Sequence, residues 1–370
     1  MGRCECPRQA GRRPFGIVAL LTLCLLCLPA ISASVDETRF TAYIEKHANG
    51  WIDWQNGLIY GIGRGYVNKH DGNRPLSKGA GGVLASGNIV KLAAGLHLDD
   101  VRTLESLGRG KVTINLEAFI RDKVHKTTYV ENGDDPYFEV IKVADMKGIT
   151  GLTAKLLDHF SKSQDWQDLP VRNLEPRADL GDEGEPWLLI DARNLPPSDR
   201  PQPALFPKIK SEGGDEVYDV KQVEEAALIN RGMMSYVTTN ASAEELRSDA
   251  QLVDRLLASA GLIVGVNEAQ AKTEMRSLGI PVVSAPAATE SSKGGRQKRG
   301  KYIVKDAKDV QGLAKTNLVL SAEDAMELQA EDANSQILKK CRVVVVVSSP
   351  IGGIEGGLKG DRLAQLAPVD

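Results

Sequence analysis

Cysteine is almost absent from the body of this 370-residue chain. Cys4, Cys6, Cys24 and Cys27 fall within the first 33 residues, and Cys341 is the fifth and last. A chain trimmed of that leader can form no internal disulfide and offers no CxxC thiolate pair to a structural zinc ion. Cys341 itself is expected in or near a core, at the start of a strand, rather than at a reactive site. Catalytic signatures are missing as well. His47, His70, His97, His125 and His159 are scattered, with none in an HExxH pair. There is no GxSxG elbow and no GxGxxG. The valine run followed by PIGGIEGGLKG lacks the glycine spacing and the Gly-Lys-Ser/Thr ending of a phosphate loop. The adjacent acids Asp99-Asp100, Asp134-Asp135 and Glu244-Glu245 stand in turn-like or helix-start contexts. Solvated charge is the ordinary reading there, because general acid–base work requires convergence in space. These absences point away from an enzyme, and no catalytic residue, metal ligand or cofactor is expected.

What the chain does carry begins with a leader. Arg3, Arg8, Arg12 and Arg13 form a basic head, Ile17 to Ile31 is an apolar run, and Ser32, Ala33 and Ser34 are small. That order is an export signal. As a helix the run would cover roughly 22 Å, short of a ~30 Å hydrocarbon core, so cleavage is preferred to a retained anchor. The expected cut lies between Ala33 and Ser34. Arg12, Arg13 and Phe15 match the twin-arginine pattern only in part, and the general export route is preferred. Cys24 and Cys27 follow Leu23 and Leu26, whereas lipid attachment needs a small residue before the cysteine. Past residue 33 there are 42 basic and 48 acidic residues, a net charge of −6. This balance gives no reason to expect nucleic acid as a partner.

Residues 34–160 read as a small sheet-plus-helix domain. A short helix is expected over Glu37–Ala48. Strands are expected over Trp51–Trp54 and Leu58–Val67, joined at Asn56-Gly57, a tight-turn pair. In the second strand Ile59, Gly61, Gly63, Gly65 and Val67 share a face, and so many glycines imply that another backbone, a helix, comes close. Ala80, Val83, Gly87, Val90 and Ala94 form the expected inward stripe of that helix. Lys111–Phe119 and Tyr137–Val143 read as two more strands, turning at residues 132–135, and Ile149–Phe160 reads as a closing helix. Trp51 and Trp54 are expected to pack beneath neighbouring elements.

Residues 161–186, with three prolines and few large apolar side chains, read as a linker. Residues 187–370 read as a mixed α/β domain. Its strands are expected at Trp187–Ala192, Leu205–Ile209, Glu216–Val220, Gly232–Val237, Tyr302–Lys305 and Asn317–Leu320. The five valines after Arg342 suggest an interior strand covered on both faces. Helices are expected at Val223–Ile229, Glu268–Leu278 and from Ser321 to Gln329. The clearest helix has a capping box at Ser242 and Glu245, an apolar face of Leu246, Ala250, Val253 and Leu257, and an exit at Gly261. Residues 284–300, basic but without aromatics, read as a solvated loop, and Gly352–Gly360 as a glycine-rich tail. The fold class is therefore α+β.

Three stretches carry a family resemblance: GWIDWQNGLIYGIGRGYV, the Ala/Gly-rich helix through NIVKLAAGLHLDD, and YFEVIKVADMKGITGL. Together, over residues 50–157, they resemble the lipoprotein-20 family of bacterial envelope proteins, and flagellar assembly protein T carries a similar first domain. Farther on, LLIDARNLPPSDRPQPALFPKIKSEGGDEVYDV and GMMSYV resemble a C-terminal region found beside that domain in exported bacterial proteins. Relative to that family the chain lacks a lipid-attachment cysteine, and the helix from Ser242 to Ala260 looks inserted. The resemblance implies an exported envelope protein, in the periplasm or at the outer-membrane periphery, that binds other envelope proteins. It transfers no catalytic positions. A periplasmic small-ligand carrier, or an enzyme without a recognisable motif, is the alternative. Peripheral membrane association and the oligomeric state are left open.

Overall fold

The computed structural model describes residues 40–67, 72–108, 116–131, 133, 135–163, 166, 169–171, 186–262 and 302–348. Ala33 and Ser34, the Glu268–Leu278 helix, the 284–300 loop and the Gly352–Gly360 tail lie outside them, as does most of the 161–186 linker.

The helix expected over Glu37–Ala48 is replaced by two short strands, β1 (Thr41–Ala42) and β2 (Ile44–His47). Thr41, Tyr43 and Ile44 are strand-forming types, and the chain changes sheets at Tyr43. Its N–H donates to Tyr236 O at 3.3 Å, and its carbonyl accepts from Trp54 N at 3.2 Å. Phe40 is buried in one core while Tyr43 packs against another. Strand-forming residue types and pairing with two different sheets outweighed its charged residues.

β3 (Gly50–Asp53) and β4 (Leu58–Tyr66) form the expected hairpin, with Gly57 at φ 66° in the turn. Helix α1 (Arg74–Gly95) then crosses the glycine face of β4. Its inward stripe differs from the expected one. The buried residues are Ser77, Gly81, Ala85, Ile89 and Ala93, a strict spacing of four, while Val83 is 73% exposed. The smallest ridge of the helix faces the strand because the approach is that close. A Cβ on Gly61, Gly63 or Gly65 would stand 2.3, 2.0 or 1.7 Å from a carbonyl oxygen of α1.

Short helices α2 (Leu104–Gly108) and α3 (Leu116–Phe119) follow. Phe119 thus closes a helix rather than a strand. The hairpin partner is instead β5 (Asp122–Val130), which pairs with β6 (Tyr137–Asp145) around a bulge at Val124/Lys126. β5 is the outermost strand of a five-stranded antiparallel sheet ordered β2-β3-β4-β6-β5. Its lysines and His125 are what an edge strand carries to resist further pairing, and they hid it from a search for apolar runs. Helix α4 (Leu152–Ser163) closes this layer.

The rest of the chain builds β7 (Trp187–Asp191), β8 (Ile209–Ser211), β9 (Glu216–Tyr218), α5 (Glu225–Arg231) and β10 (Ser235–Thr238). α6 (Ala243–Ser248), α7 (Ala250–Ser259), β11 (Tyr302–Asp306), β12 (Asp309–Gln311), β13 (Asn317–Leu320), α8 (Ala322–Ser335) and β14 (Val343–Val346) follow. The capping box of Ser242 and Glu245 is complete. The single expected helix is broken at Asp249, whose carboxylate accepts from Gln251 N and Leu252 N and so starts α7 afresh. Ala250 is consequently exposed, while Leu246, Val253 and Leu257 are buried as expected.

The main sheet runs β1-β10-β14-β7-β11. β10, β14, β7 and β11 are mutually parallel, and β1 is an antiparallel edge. All four β14 valines are buried. Val344 and Val346 meet Leu246, Val253, Leu256 and Leu257 of α6 and α7 on one face. Val343 and Val345 meet the larger core on the other, which continues through Tyr218 and Phe160 to Ile59 and Ile89 of the first layer. A second, mixed sheet is ordered β12-β13-β8-β9. The fold is α+β.

Candidate functional site

Among the described residues a cleft of about 280 Å³ opens between the turn after α1, Trp166, Phe206–Lys208 and Asp219–Val220. Its parts are far apart in sequence and are joined by backbone pairing. Leu98 is fully buried and anchors the turn. Phe206 N donates to Leu98 O at 2.7 Å, and Leu205 N to His97 O at 2.9 Å, which sets the 205–208 segment beside it.

Asp99 organises the turn. Its Oδ1 accepts from Val101 N and Arg102 N at 2.9 and 2.7 Å, and its Oδ2 accepts from Arg102 Nε and Nη2 at 3.0 and 2.7 Å. Arg102 then lies 3.8 Å from the ring centroid of Trp166. The same indole stacks on Phe160 at 5.3 Å and meets Phe206 edge-on at 5.5 Å. Opposite, Lys208 Nζ stands 2.6 Å from Asp219 Oδ2 and 2.5 Å from Glu216 Oε1. Burial works against the Lys208 charge, but the two carboxylates outweigh it and raise its pKa. Burial likewise pushes Asp219 up, yet Lys208 and the Lys221 N–H hold its carboxyl below the usual range.

Asp100 differs from these. Its carbonyl accepts from Ala314 N at 3.1 Å, and its Cβ and carboxylate lie along Gly312, where φ is +96°. Its carboxylate makes no hydrogen bond or ion pair among the described residues. Among the described residues that line the cleft, Arg102 and Lys208 are thus both paired with carboxylates.

The other residues singled out from the sequence lie elsewhere. Trp51 stacks on Tyr60 at 4.6 Å. Trp54 sits in the turn after β3, buried, with its Nε1 donating to Glu45 Oε2 at 2.8 Å. Glu245 is consumed by the capping box. His47 pairs with Glu45, whose carboxyl, though burial pushes it up, His47 and His97 both help to hold below its ordinary value. His125 meets the edge of Tyr60, and His159 packs on Phe119 and Phe160, while His70 lies outside the described residues. Among the described residues no group of three or more His, Cys, Asp or Glu is placed to hold a metal ion. No helix among them is long and apolar enough to cross a membrane.

Cys341 is buried at the turn into β14, and burial pushes its thiol up to about 12. Because the thiolate is the reacting species, iodoacetamide at pH 8 should leave the Cys341 peptide unlabelled in the native protein and label it fully in 6 M guanidinium. Peptide mass mapping reads both states, and rapid native labelling would contradict the buried position.

Residues 187–276 and 279–349, less than half of the chain, match the family model of the second domain of Treponema pallidum Tp0624. The match starts at the first residue of β7 and ends just past β14, so it leaves the glycine-faced layer outside. No curated protein matches the chain.

Proposed function

We propose that this chain is an exported component of the bacterial cell envelope that acts by binding another protein rather than by catalysis. The outer side of α1 carries the reading. Leu76, Val83 and Leu84 are 66%, 73% and 53% exposed there. Gly79 and Gly87 have nothing within 4 Å of where a Cβ would stand. A glycine inside a helix costs about 1 kcal/mol relative to alanine, and nothing among the described residues uses the missing side chains. A second backbone laid along the helix would use them, as α1 itself uses Gly61, Gly63 and Gly65. The helix also holds Arg74, Lys78 and Lys91 without a single acid, which disfavours self-pairing and favours an acidic partner.

The leader supports export. The lipoprotein-20 likeness of residues 50–157, with its flagellar relative, supports an envelope setting by analogy. Of the carboxylate pairs that could have suggested catalysis, Asp99 is engaged in its turn and Glu245 in the capping box. A photo-crosslinking residue at position 83, placed in intact cells, should give one heteromeric adduct, and the same residue at Leu313, 88% exposed, should give none. Val83→Glu should abolish co-purification of that partner. Recovery of monomer alone at both positions would overturn the reading, and an N-terminus at Met1 in the cell-purified chain would overturn export. A small-ligand carrier is the second reading, and the cleft beside Trp166 is what favours it.

A further inference from the structure

We infer that the partner meets α1 through an acidic α-helix of its own, laid along the outer stripe Leu76, Ala80, Val83, Gly87, Val90 and Ala94. This names the occupant of the docking face already assigned to α1 and rests on that reading. All but Leu76 are the residues that amphipathic spacing turns inward, yet β4 is met by Ser77, Gly81, Ala85, Ile89 and Ala93 instead. One helix therefore carries two small, mostly apolar stripes, and β4 occupies one of them. The two are spaced differently. Against the strand every step is four residues, which winds about 40° around the helix each time. On the outer side the steps run four, three, four, three, four. That alternation keeps the stripe in line with the axis for roughly 27 Å, and such a seam is how one helix packs lengthwise on another. Leu76, Ala80, Val83 and Gly87 are exposed, and Val90 and Ala94 are half-buried.

Backbone chemistry and charge narrow the occupant. Within α1 the backbone groups bond one another, so a strand laid on this face would leave its own N–H groups unpaired. A helix arrives with those groups already satisfied. Gly79 and Gly87 let it come close, since nothing lies within 4 Å of where a Cβ would stand. A bilayer is a poor occupant, because an interfacial helix buries Trp, Phe and Leu, and this stripe holds one leucine among valines, alanines and a glycine. From Arg74 to Gly95 there are three cations, Arg74, Lys78 and Lys91, and no acid. Lys91 is exposed beside the stripe, one turn from Gly87 and from Ala94. The first turn carries no acid to offset the positive end of the helix dipole. A second α1 would bring the same charges, so a copy of this chain is repelled and an acidic helix is drawn in.

A photo-crosslinking residue placed singly at Leu76, Ala80 and Val83 of the full chain, in intact cells, tests this by where its adducts map on the partner. Positions 76 and 83 lie roughly 10 Å apart along the axis, which is about seven residues of a partner helix and about three of a partner strand. Mass mapping should place the partner residues labelled from 76 and 83 about seven apart, with the label from 80 between them. The stretch around them should hold more acids than lysines and arginines. Lys91→Glu should lower the adduct yield at 83 about threefold or more, and Lys91→Arg should leave it unchanged. Gly87→Leu should lower it about tenfold or more, because the side chain fills the space that the second backbone needs. Circular dichroism and the unfolding midpoint should match the parent in each variant. Labels about three residues apart, an adduct with a second copy of this chain, or a stretch without excess acid overturns the acidic helix. So does full adduct yield in either Lys91→Glu or Gly87→Leu. No adduct at any of the three positions removes the docking face itself, and the helix with it.

Discussion

Gly63→Ala should destabilise the protein by about 3–5 kcal/mol, a large share of the stability an ordinary domain possesses. The added methyl would stand 2.0 Å from Gly81 O and 2.4 Å from Ala85 N, and both are backbone atoms. No side chain can rotate away, so β4 and α1 must separate. Separation uncovers Ile59, Ile89 and Ala93, which are fully or almost fully buried. Gly87→Ala, on the opposite side of the same helix, meets nothing within 4 Å and should stabilise by about 0.5–1 kcal/mol, because alanine loses less backbone entropy. Urea unfolding of the two variants beside the parent measures the contrast, with the m-value as a check that the denatured state is unchanged. A Gly63→Ala variant within 1 kcal/mol of the parent would mean that helix and strand do not approach as described.

The glycine face of β4 was legible in the sequence because a strand that alternates glycine with large residues has few other uses. The rotation of α1 against it was not. Amphipathic reading turns the larger apolar side chains inward, and by that logic Val83 and Val90 belong to the core. Close packing reverses the preference, since the residues that must face Gly61, Gly63 and Gly65 are the smallest available. Ser77, a polar residue, is therefore inside, and Val83 is outside. The same kind of conflict misplaced residues 37–48, where an edge position for two different sheets overrode local helical composition. The valine strand, the capping box and the Gly261 exit were legible because each rests on a short-range signal.

The cleft was far less legible than the fold. Asp99-Asp100 looked like a solvated turn, and Lys208, Asp219 and Phe206 lay in expected strands and a stretch of family resemblance that carried no binding signature. Backbone pairing of residues 97–98 with 205–206, more than a hundred positions away, helps to make them neighbours. One signal was available. Trp166 stands in a stretch read as linker, and a residue that buries so much apolar area seldom belongs to one. It is 4% exposed and sits at the centre of the cleft's aromatic wall.

Lys147 should make stability rise with pH between about 8 and 10.5. The residue follows β6, and its stem runs across Gly57, where a Cβ would lie 2.6 Å from its Cγ. Its Nζ donates to Gln55 O at 2.6 Å and meets no carboxylate at ion-pair distance among the described residues. Loss of water around the ammonium pushes its pKa down from 10.5 to about 8, a shift that the charge of Asp53 only partly opposes. Below pH 8 the group is charged in both folded and unfolded chains, and the full desolvation cost is present. Between 8 and 10.5 the unfolded chain binds more protons than the folded one, so unfolding free energy climbs with pH. At 1.36 kcal/mol per pH unit the climb from this one group is about 3 kcal/mol. Lys147→Met keeps the stem and removes the proton. The variant should be the more stable at pH 7, by less than that full amount because Gln55 O loses its donor. Its advantage should shrink by about 3 kcal/mol as pH is raised to 11, cancelling or reversing. Denaturant unfolding of both proteins across that range measures the difference directly, and parallel stability curves would show that the ammonium of Lys147 is as well hydrated in the folded protein as in the unfolded chain.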